Sequence, residues 1–435
     1  VARILLLCWR DSTHPQGGGS ERYLEHVADG LAAAGHTVVY RTSRPRGAPR
    51  SDVRRGLAGA GPSSAAAAGA GAGVTISRGG GRFTVYPRAL GAILLGRFGV
   101  GPLGRLRRPD VVVDTQNGVP FFSRFATTAP VVVLVHHIHR EQWPVAGWLV
   151  SRIGWWIESR LSPRVHSGSQ YVTVSLPSAE ELVELGVAPE RIAVVRNGLD
   201  PLPDGVRPGG PGTRADGPHL AVLSRLVPHK HVEDALDVVA ALRGTHPGLV
   251  LDVIGSGWWS DRLREYAAER GLDRDQDRDR DRGQDGAGPR HPAGAVVFHG
   301  HVDEATKHRI LAAATLHLMP SRKEGWGLAV SEAAQHGVPT IGYHHAAGLR
   351  DSIDDGETGL LVDDVAAMTT ATERLLADSE LRDRMGEAAR RKAAALSWPA
   401  TASAMAEVLT AVTEGRRVTG VIGGPPRRGS SPPDR

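Results

Sequence analysis

The sequence predicts an α/β protein with two Rossmann-like domains, each built on a parallel sheet. Three observations lead there. At 435 residues the chain exceeds one ordinary core, and the length suggests two or three domains. Short β-branched runs recur ahead of turns and helical patterns: "ILLL", "TVVY", "DVVVD", "PVVVLV", "YVTVS", "RIAVV", "LAVLS", "LVLDVIG", "AVVFHG", "LHLM" and "PTIGY". Strands bounded this way and alternating with helices form parallel sheets in βα units. The series stalls once, over "NGLDPLPDGVRPGGPGTRADGPH" (197–219), where Pro, Gly and Asp dominate and no periodicity survives. The boundary is expected there, giving an N-terminal domain over 1–200, a linker over 201–214 and a C-terminal domain over 215–395. "LSWPATASAMAEVLTAV" opens a terminal helix, 396–415, expected to cross back to the first domain, and 416–435 reads as a disordered tail.

Composition narrows the class. Hydrophobic residues make up 41% and charged residues 23%, ordinary for a soluble globular protein, while 54 Gly and 29 Pro are many. Two further segments account for part of that excess or of the charge: the low-complexity insertion 56–73 and the charged loop 273–285, "DRDQDRDRDRGQD". Its Asp-x-Asp triplets resemble a metal-binding pair, but like charges at i and i+4 beside alternating Arg read as a solvated loop. A net charge of +5 favours anionic partners: nucleotides, acidic lipid surfaces, or nucleic acid without specificity. The single cysteine, Cys8, allows no internal disulfide and fits a reducing cytoplasm. The opening apolar run is too short for a signal peptide, and nowhere do about 18 uncharged apolar residues run together as a membrane span would require.

After the first strand, "GGGSERYLEHVADGLAAAGHTVV" (17–39) spaces Leu24, Val27 and Leu31 at helical intervals, with Ser20 as candidate N-cap. Glycines at a helix N-terminus let the backbone approach an anion that the free N–H groups and the dipole favour. The loop reads as a diphosphate seat or as a flexible turn. It is not a dinucleotide fingerprint, because Gly-x-Gly-x-x-Gly and the acid ending the second strand are both missing. "VLSRLVPHK" (222–230) sets Arg225 just past a strand and Lys230 five positions on. Cations at the carboxyl end of a parallel strand stand where open α/β sheets bind ligands, although many such residues are only solvated. "GSGWWS" (255–260) reads as a tight turn.

"SRKEGWGLAVSEAAQHGVP" (321–339) is the most informative stretch. Gly325 and Gly327 permit an irregular turn, and Leu328, Ala329, Ala333 and Ala334 begin a helix. Glu332 falls in its first turns and Glu324 on the loop ahead; taken alone, both also read as solvent-facing charges that complement the helix dipole. Extended to "GYHHAAGLRDSIDDGETGLLV", the stretch resembles the C-terminal signature of the family 4 retaining glycosyltransferases of GT-B fold, whose motif is two Glu separated by seven residues. "SRLVPHK", "VIGSG", "VVFHGHVDE", "VRNGLD" and the early Gly-rich segment resemble family segments in the family's order.

The resemblance implies a GT-B protein, two Rossmann-like domains with parallel sheets facing an interdomain cleft, that moves a hexosyl group from a UDP- or GDP-linked donor with retention. It implies that Arg225 and Lys230 hold the donor diphosphate, Glu332 the ribose and Glu324 the sugar. The backbone of Gly325, Trp326, Gly327 and Leu328 would line sugar and phosphates, and the main chain of Val302 would meet the base. Gly18 and Gly19 match the loop that closes over the diphosphate, and His136 a histidine near the sugar's reactive side, with the register against His137 and His139 open. His231 stands where relatives often carry Gly, a departure that bears on the shape of the phosphate loop. No metal, cofactor or protein nucleophile is expected. Elementary electrostatics agrees: a departing nucleoside diphosphate spreads charge over oxygens that fixed cations and helix N-termini stabilise, and a Glu can accept from two ribose hydroxyls.

Acceptors left open are glycans, lipid-linked glycans and small molecules. "GWLVSRIGWWIESRL" (147–161) puts Val150, Ile153, Ile157 and Leu161 in one stripe and Trp148, Arg152 and Trp155 on another face. Segment 89–108 mixes apolar residues with Arg97, Arg105, Arg107 and Arg108. Both are candidates for peripheral contact with an anionic membrane at its inner face, or are core-facing helices with solvated arginines. The alternatives in function are a non-catalytic nucleotide-sugar scaffold and a GT-B epimerase or phosphorylase. Specific nucleic-acid binding lacks an aromatic-interleaved basic stripe.

Overall fold

The computed structural model describes residues 1–14, 18–54, 73–140, 143, 147–210, 215, 217–272 and 295–423. The insertion at 56–73, apart from Gly73, and the charged loop at 273–285 lie outside the described residues. The chain divides into two compact units, Val1–Asp200 with Ala395–Arg435, and Pro201–Ala394.

The first unit contains β1 (Arg3–Leu7), α1 (Gly19–Ala33), β2 (Thr37–Thr42), β3 (Ser51–Arg54), β4 (Val74–Arg78), α2 (Val85–Gly96), β5 (Val111–Gln116), β6 (Val131–Val135), α3 (Trp148–Trp156), β7 (Gln170–Thr173), α4 (Leu176–Glu184) and β8 (Ile192–Val194). The second contains β9 (His219–Leu223), α5 (Val232–Leu242), β10 (Val250–Ile254), α6 (Ser260–Glu269), β11 (Val296–Gly300), α7 (Glu304–Ala313), β12 (Leu316–Met319), α8 (Leu328–Gln335), β13 (Thr340–Tyr343), β14 (Gly359–Val362), α9 (Val365–Ala377) and α10 (Ser379–Ala394). The chain then returns to the first unit with α11 (Trp398–Thr413) and β15 (Gly420–Val421).

Among the described residues, nine strands of the first unit run in the order β15-β8-β7-β6-β5-β1-β2-β4-β3, with only β3 antiparallel to its neighbour. The central strands are covered on both faces, so β5 and β6 are buried at every position and read as unbroken Val runs. α11 packs on α1 at very short range: a Cβ at Gly30 would lie 2.3 Å from that of Ala402. Its start is anchored by Trp398, which stacks on His26 at 4.2 Å and donates its indole N–H to Asp200 at 3.0 Å. The tail expected to be disordered from 416 is ordered through Val421. The amide of Gln170 bonds the backbone of Val418 in both directions, at 2.7 and 3.0 Å, and β15 adds to the sheet edge.

Among the described residues, the second unit holds six parallel strands in the order β11-β10-β9-β12-β13-β14. The chain leaves β9 toward one edge, returns, and leaves β12 toward the other. The gap between the carboxyl ends of β9 and β12 is therefore the point where the winding reverses, the place at which doubly wound sheets bind ligands. Residues expected as linker are partly built into this unit, since Gly209 donates to His336 Nδ1 at 3.0 Å and its carbonyl accepts from Arg390.

In 147–161, Val150 and Ile153 of the expected stripe are exposed, as are Trp148, Leu149 and Trp156, while Trp155 packs inward. A π turn at Ile157–Leu161 shifts the helix phase, and Gly154 is buried under the indole of Trp143, so a single 3.6-residue period does not describe the segment.

Candidate functional site

Arg225 and Lys230 follow β9, and Glu324 follows β12, so all three stand at the switch point of the second unit. The two loops are tied together. Arg322 donates its backbone N–H to the carbonyl of His229 at 3.0 Å, and Lys230 Nζ donates to Glu324 Oε1 in a half-buried ion pair. Arg225 is exposed. His229 feels Lys230, Glu324, Arg225 and His231, and burial first, then Lys230, push its pKa down to about 4, so the imidazole adds no charge here at neutral pH.

The shape of the first loop rests on glycines that the sequence pattern marks only as a turn. A Cβ at Gly255 would lie 1.9 Å from the carbonyl oxygen of Ser224, and one at Gly257 would lie 2.0 Å from that of Leu226. Their bare backbones let residues 254–257 run against the loop that carries Arg225, sealed by Leu226 N–H to Ser256 O at 3.0 Å. His231 adopts φ 46° and ψ 45°, the left-handed conformation that a Gly would take without strain, and it starts α5. The Lys-His departure thus keeps the glycine geometry of that turn at a steric cost.

The second loop ends in Gly327 at φ 88°, the N-cap of α8. Trp326 is buried, with its indole N–H donating to Ser331 Oγ at 3.1 Å, so at Gly325–Leu328 the surface is largely main chain. Gly348, which carries no motif signal in the sequence, supports this loop: its N–H donates to Glu324 O at 3.1 Å. Glu332 lies in α8 and pairs with Lys307 Nζ at 3.2 Å, which also bonds Glu304 at 2.7 Å. Lys307 on α7 is a buried lysine with no sequence signal beyond its place in a helical run. Val302 sits between β11 and α7, half-buried.

Gly18, Gly19 and His136 belong to the first unit. Gly18, not Ser20, is the N-cap of α1, and the cap comes from inside the helix: Gly18 N–H donates to Glu21 Oε2 at 2.7 Å, while Glu21 Oε1 accepts from Arg10 at 2.9 Å. A carboxylate thus already occupies the positive end of α1. His136 directly follows β6 and meets the ring of Tyr23 edge-on at 5.1 Å. Burial pushes its pKa down to about 4, and Nε2 has no hydrogen-bond partner among the described residues. His137 packs against the ring of His139 instead, tilted by 32° with the centroids 4.3 Å apart. The loop carrying them is clasped by the fully buried Glu158, which accepts from the backbone N–H of His139 at 3.2 Å and from the indole of Trp143 at 2.7 Å.

Among the described residues, no group of three or more His, Cys, Asp or Glu is arranged to hold a metal ion, and no helix is long and apolar enough to cross a membrane.

Two family models match. Residues 17–201 match "Glycosyltransferase Family 4" and residues 217–378 match "Glycosyl transferases group 1". The chain is 29% identical to a glycogen synthase of Mycobacterium tuberculosis (strain CDC 1551 / Oshkosh) over 95% of its own length and 96% of that protein. Among solved structures it is similar to the sucrose-phosphate synthase of Thermosynechococcus elongatus, with a TM-score of 0.71, 19% identity and coverage of 95% and 99%. It is also similar to HepE of Anabaena in complex with UDP and glucose, with a TM-score of 0.64, 15% identity and coverage of 94% and 100%.

Proposed function

The chain belongs to the family 4 glycosyltransferases of GT-B fold and is a hexosyltransferase, and from that premise we propose a retaining transfer from a UDP- or GDP-linked hexose that needs no metal. The observation that carries this reading is the meeting of Arg225, Lys230 and Glu324 at the β9/β12 switch point of the second unit. Arg225 and Lys230 take the donor diphosphate, where cations fixed in place stabilise charge as it develops on the leaving group. Without ligand the Lys230 ammonium rests on Glu324; a diphosphate competes for it and frees the carboxylate to accept from sugar hydroxyls. Glu332, held by Lys307, accepts from the ribose, and the main chain of Gly325–Leu328 and of Val302 lines the sugar phosphates and the base. In the first unit, Gly18 and Gly19 are assigned to the diphosphate and the neutral His136 to the reactive face of the sugar. The leaving phosphate takes the acceptor's proton, so no protein nucleophile is required.

Calorimetric titration with UDP and with GDP, in the absence of divalent metal, tests the donor assignment. UDP is the first ligand to try, since HepE was solved with it. One nucleotide should bind, and Glu332→Ala should weaken it by about 1.5–3 kcal/mol, the worth of hydrogen bonds to a charged group. Binding of neither would remove the basis of the proposal. A scaffold would bind the nucleotide yet catalyse neither transfer nor slow donor hydrolysis.

Peripheral membrane contact forms part of the same proposal. It is supported by the exposure of Trp148, Leu149, Val150, Ile153 and Trp156 beside Arg152, and of Leu94, Leu95, Phe98 and Val100 near Arg105, Arg107 and Arg108. Apolar side chains with basic neighbours suit an anionic headgroup layer. The protein is expected to co-sediment with vesicles containing phosphatidylglycerol and to do so less after Trp148→Ser with Trp156→Ser; protein left wholly in the supernatant would refute the contact.

A further inference from the structure

The first unit holds a concentration of positive charge that the donor site does not use. Arg41 on β2 and Arg78 on β4 belong to neighbouring strands, paired Arg41 with Ser77 and Thr42 with Arg78, and each arginine is only 4% exposed. One has a counter-charge: Arg78 Nε donates to Asp11 Oδ2 at 2.6 Å. Arg41 has none among the described residues. Its Nη1 donates to the hydroxyl of Ser77 at 3.0 Å, and Arg41 Nε and Arg78 Nη1 are buried without a hydrogen-bond partner among the described residues. Burial and the nearby charge of Arg88 both disfavour the protonated form of Arg41. A buried cation with unmade hydrogen bonds is destabilising, and proteins retain such groups where a ligand supplies the missing partner.

The surrounding backbone suits an anion. β4 leads through "GGGRFT" (79–84) into the twelve-residue helix α2, so a glycine loop and a helix N-terminus follow the strand end directly. Gly79 lies against Arg41, where a Cβ would come within 2.6 Å of Nη2. The exposed Arg82 on the loop and Arg88 in the first turn of α2 add charge at the rim.

We propose that this cluster is an anion subsite in the first unit that takes a phosphoryl group carried by the acceptor. The assignment rests on the glycosyltransferase reading for the word acceptor, whereas the anion site itself stands on its own geometry. Planar guanidinium groups, one of them lacking a carboxylate partner among the described residues, fit the oxygens of a phosphate monoester, and bidentate contacts of this kind are the strong ones.

The test titrates inorganic phosphate, glucose 6-phosphate, glycerol 3-phosphate and glucose into the full chain, with saturating UDP or GDP present to block the donor seat, for wild type and Arg41→Met. Wild type should bind inorganic phosphate, and Arg41→Met should bind it about tenfold or more weakly, with nucleotide affinity unchanged. At least one phosphate ester should bind more tightly than both free phosphate and glucose, and that gain should vanish in the variant. Arg41→Met without ligand should melt no lower than wild type, because it removes an unpaired buried charge; a purely structural arginine would lower the melting temperature. If Arg41→Met misfolds, Arg88→Gln at the exposed rim should still weaken phosphate binding. Equal phosphate affinity in wild type and both variants, or no phosphate binding where a nucleotide binds, overturns the site. Free phosphate binding with no gain for either ester overturns the acceptor assignment. If neither nucleotide binds, the donor reading fails while the phosphate arm, run without nucleotide, still decides the anion site.

Discussion

Lys230→Ala is expected to lower the rate of hexosyl transfer at saturating donor by about 10²–10³-fold, the usual effect of removing one fixed group that stabilises transition-state charge. The ammonium is half-buried at the β9/β12 switch point and is held by Glu324. A fixed cation needs no reorganisation as negative charge accumulates on the departing diphosphate, whereas water replacing it would. The same substitution should weaken binding of the nucleoside diphosphate more than that of the monophosphate, and Lys230→Arg should restore part of the rate. Single-turnover kinetics at saturating donor separates these effects. A loss smaller than tenfold would mean that Lys230 only pairs with Glu324, and the leaving-group role would have to pass to Arg225.

Gly348→Ala is expected to cost about 1–3 kcal/mol in stability and to lower the transfer rate by up to about 10²-fold. The added methyl would lie 2.5 Å from both the carbonyl oxygen of Glu324 and the carbonyl carbon of Gly325. Those are backbone atoms of the very loop that presents Glu324, so they cannot step aside as a flexible side chain would. Moving them also weakens the Gly348 N–H to Glu324 O hydrogen bond and shifts the carboxylate away from Lys230. Gly244→Ala is the matched control: a methyl there would meet nothing within 4 Å, and a change in such open space should stay within about 0.5 kcal/mol. Thermal melts of both variants beside their turnover rates check the prediction. Equal behaviour of the two would show that the loop does not depend on this close approach.

The strands named from sequence all occur, because a parallel strand buried on both faces leaves a local mark, a β-branched run between turns. β3, β4, β14 and β15 are not among them, although the Val-Thr-Ile start of β4 between glycines carries the same mark. β3 is exposed along most of its length, and β15 is two residues whose ordering depends on Gln170, about 250 positions earlier. The π turn at Ile157–Leu161 left no mark in the chain, because no local sequence rule announces one.

Legible in the chain alone are the α/β alternation, the break between two sheets, and the placement of Arg225, Lys230 and Glu324 on strand-end loops and of Glu332 at the start of a helix. These are encoded in short segments, in periodicity and turn chemistry that act over a few residues. Only the packed fold brings Lys307 to Glu332, makes Gly255, Gly257 and Gly348 spacers beneath the two loops, and buries Arg41 with no counter-charge among the described residues. Each depends on which segments the sheet order brings together, and contacts between residues tens of positions apart have no period by which a sequence could reveal them.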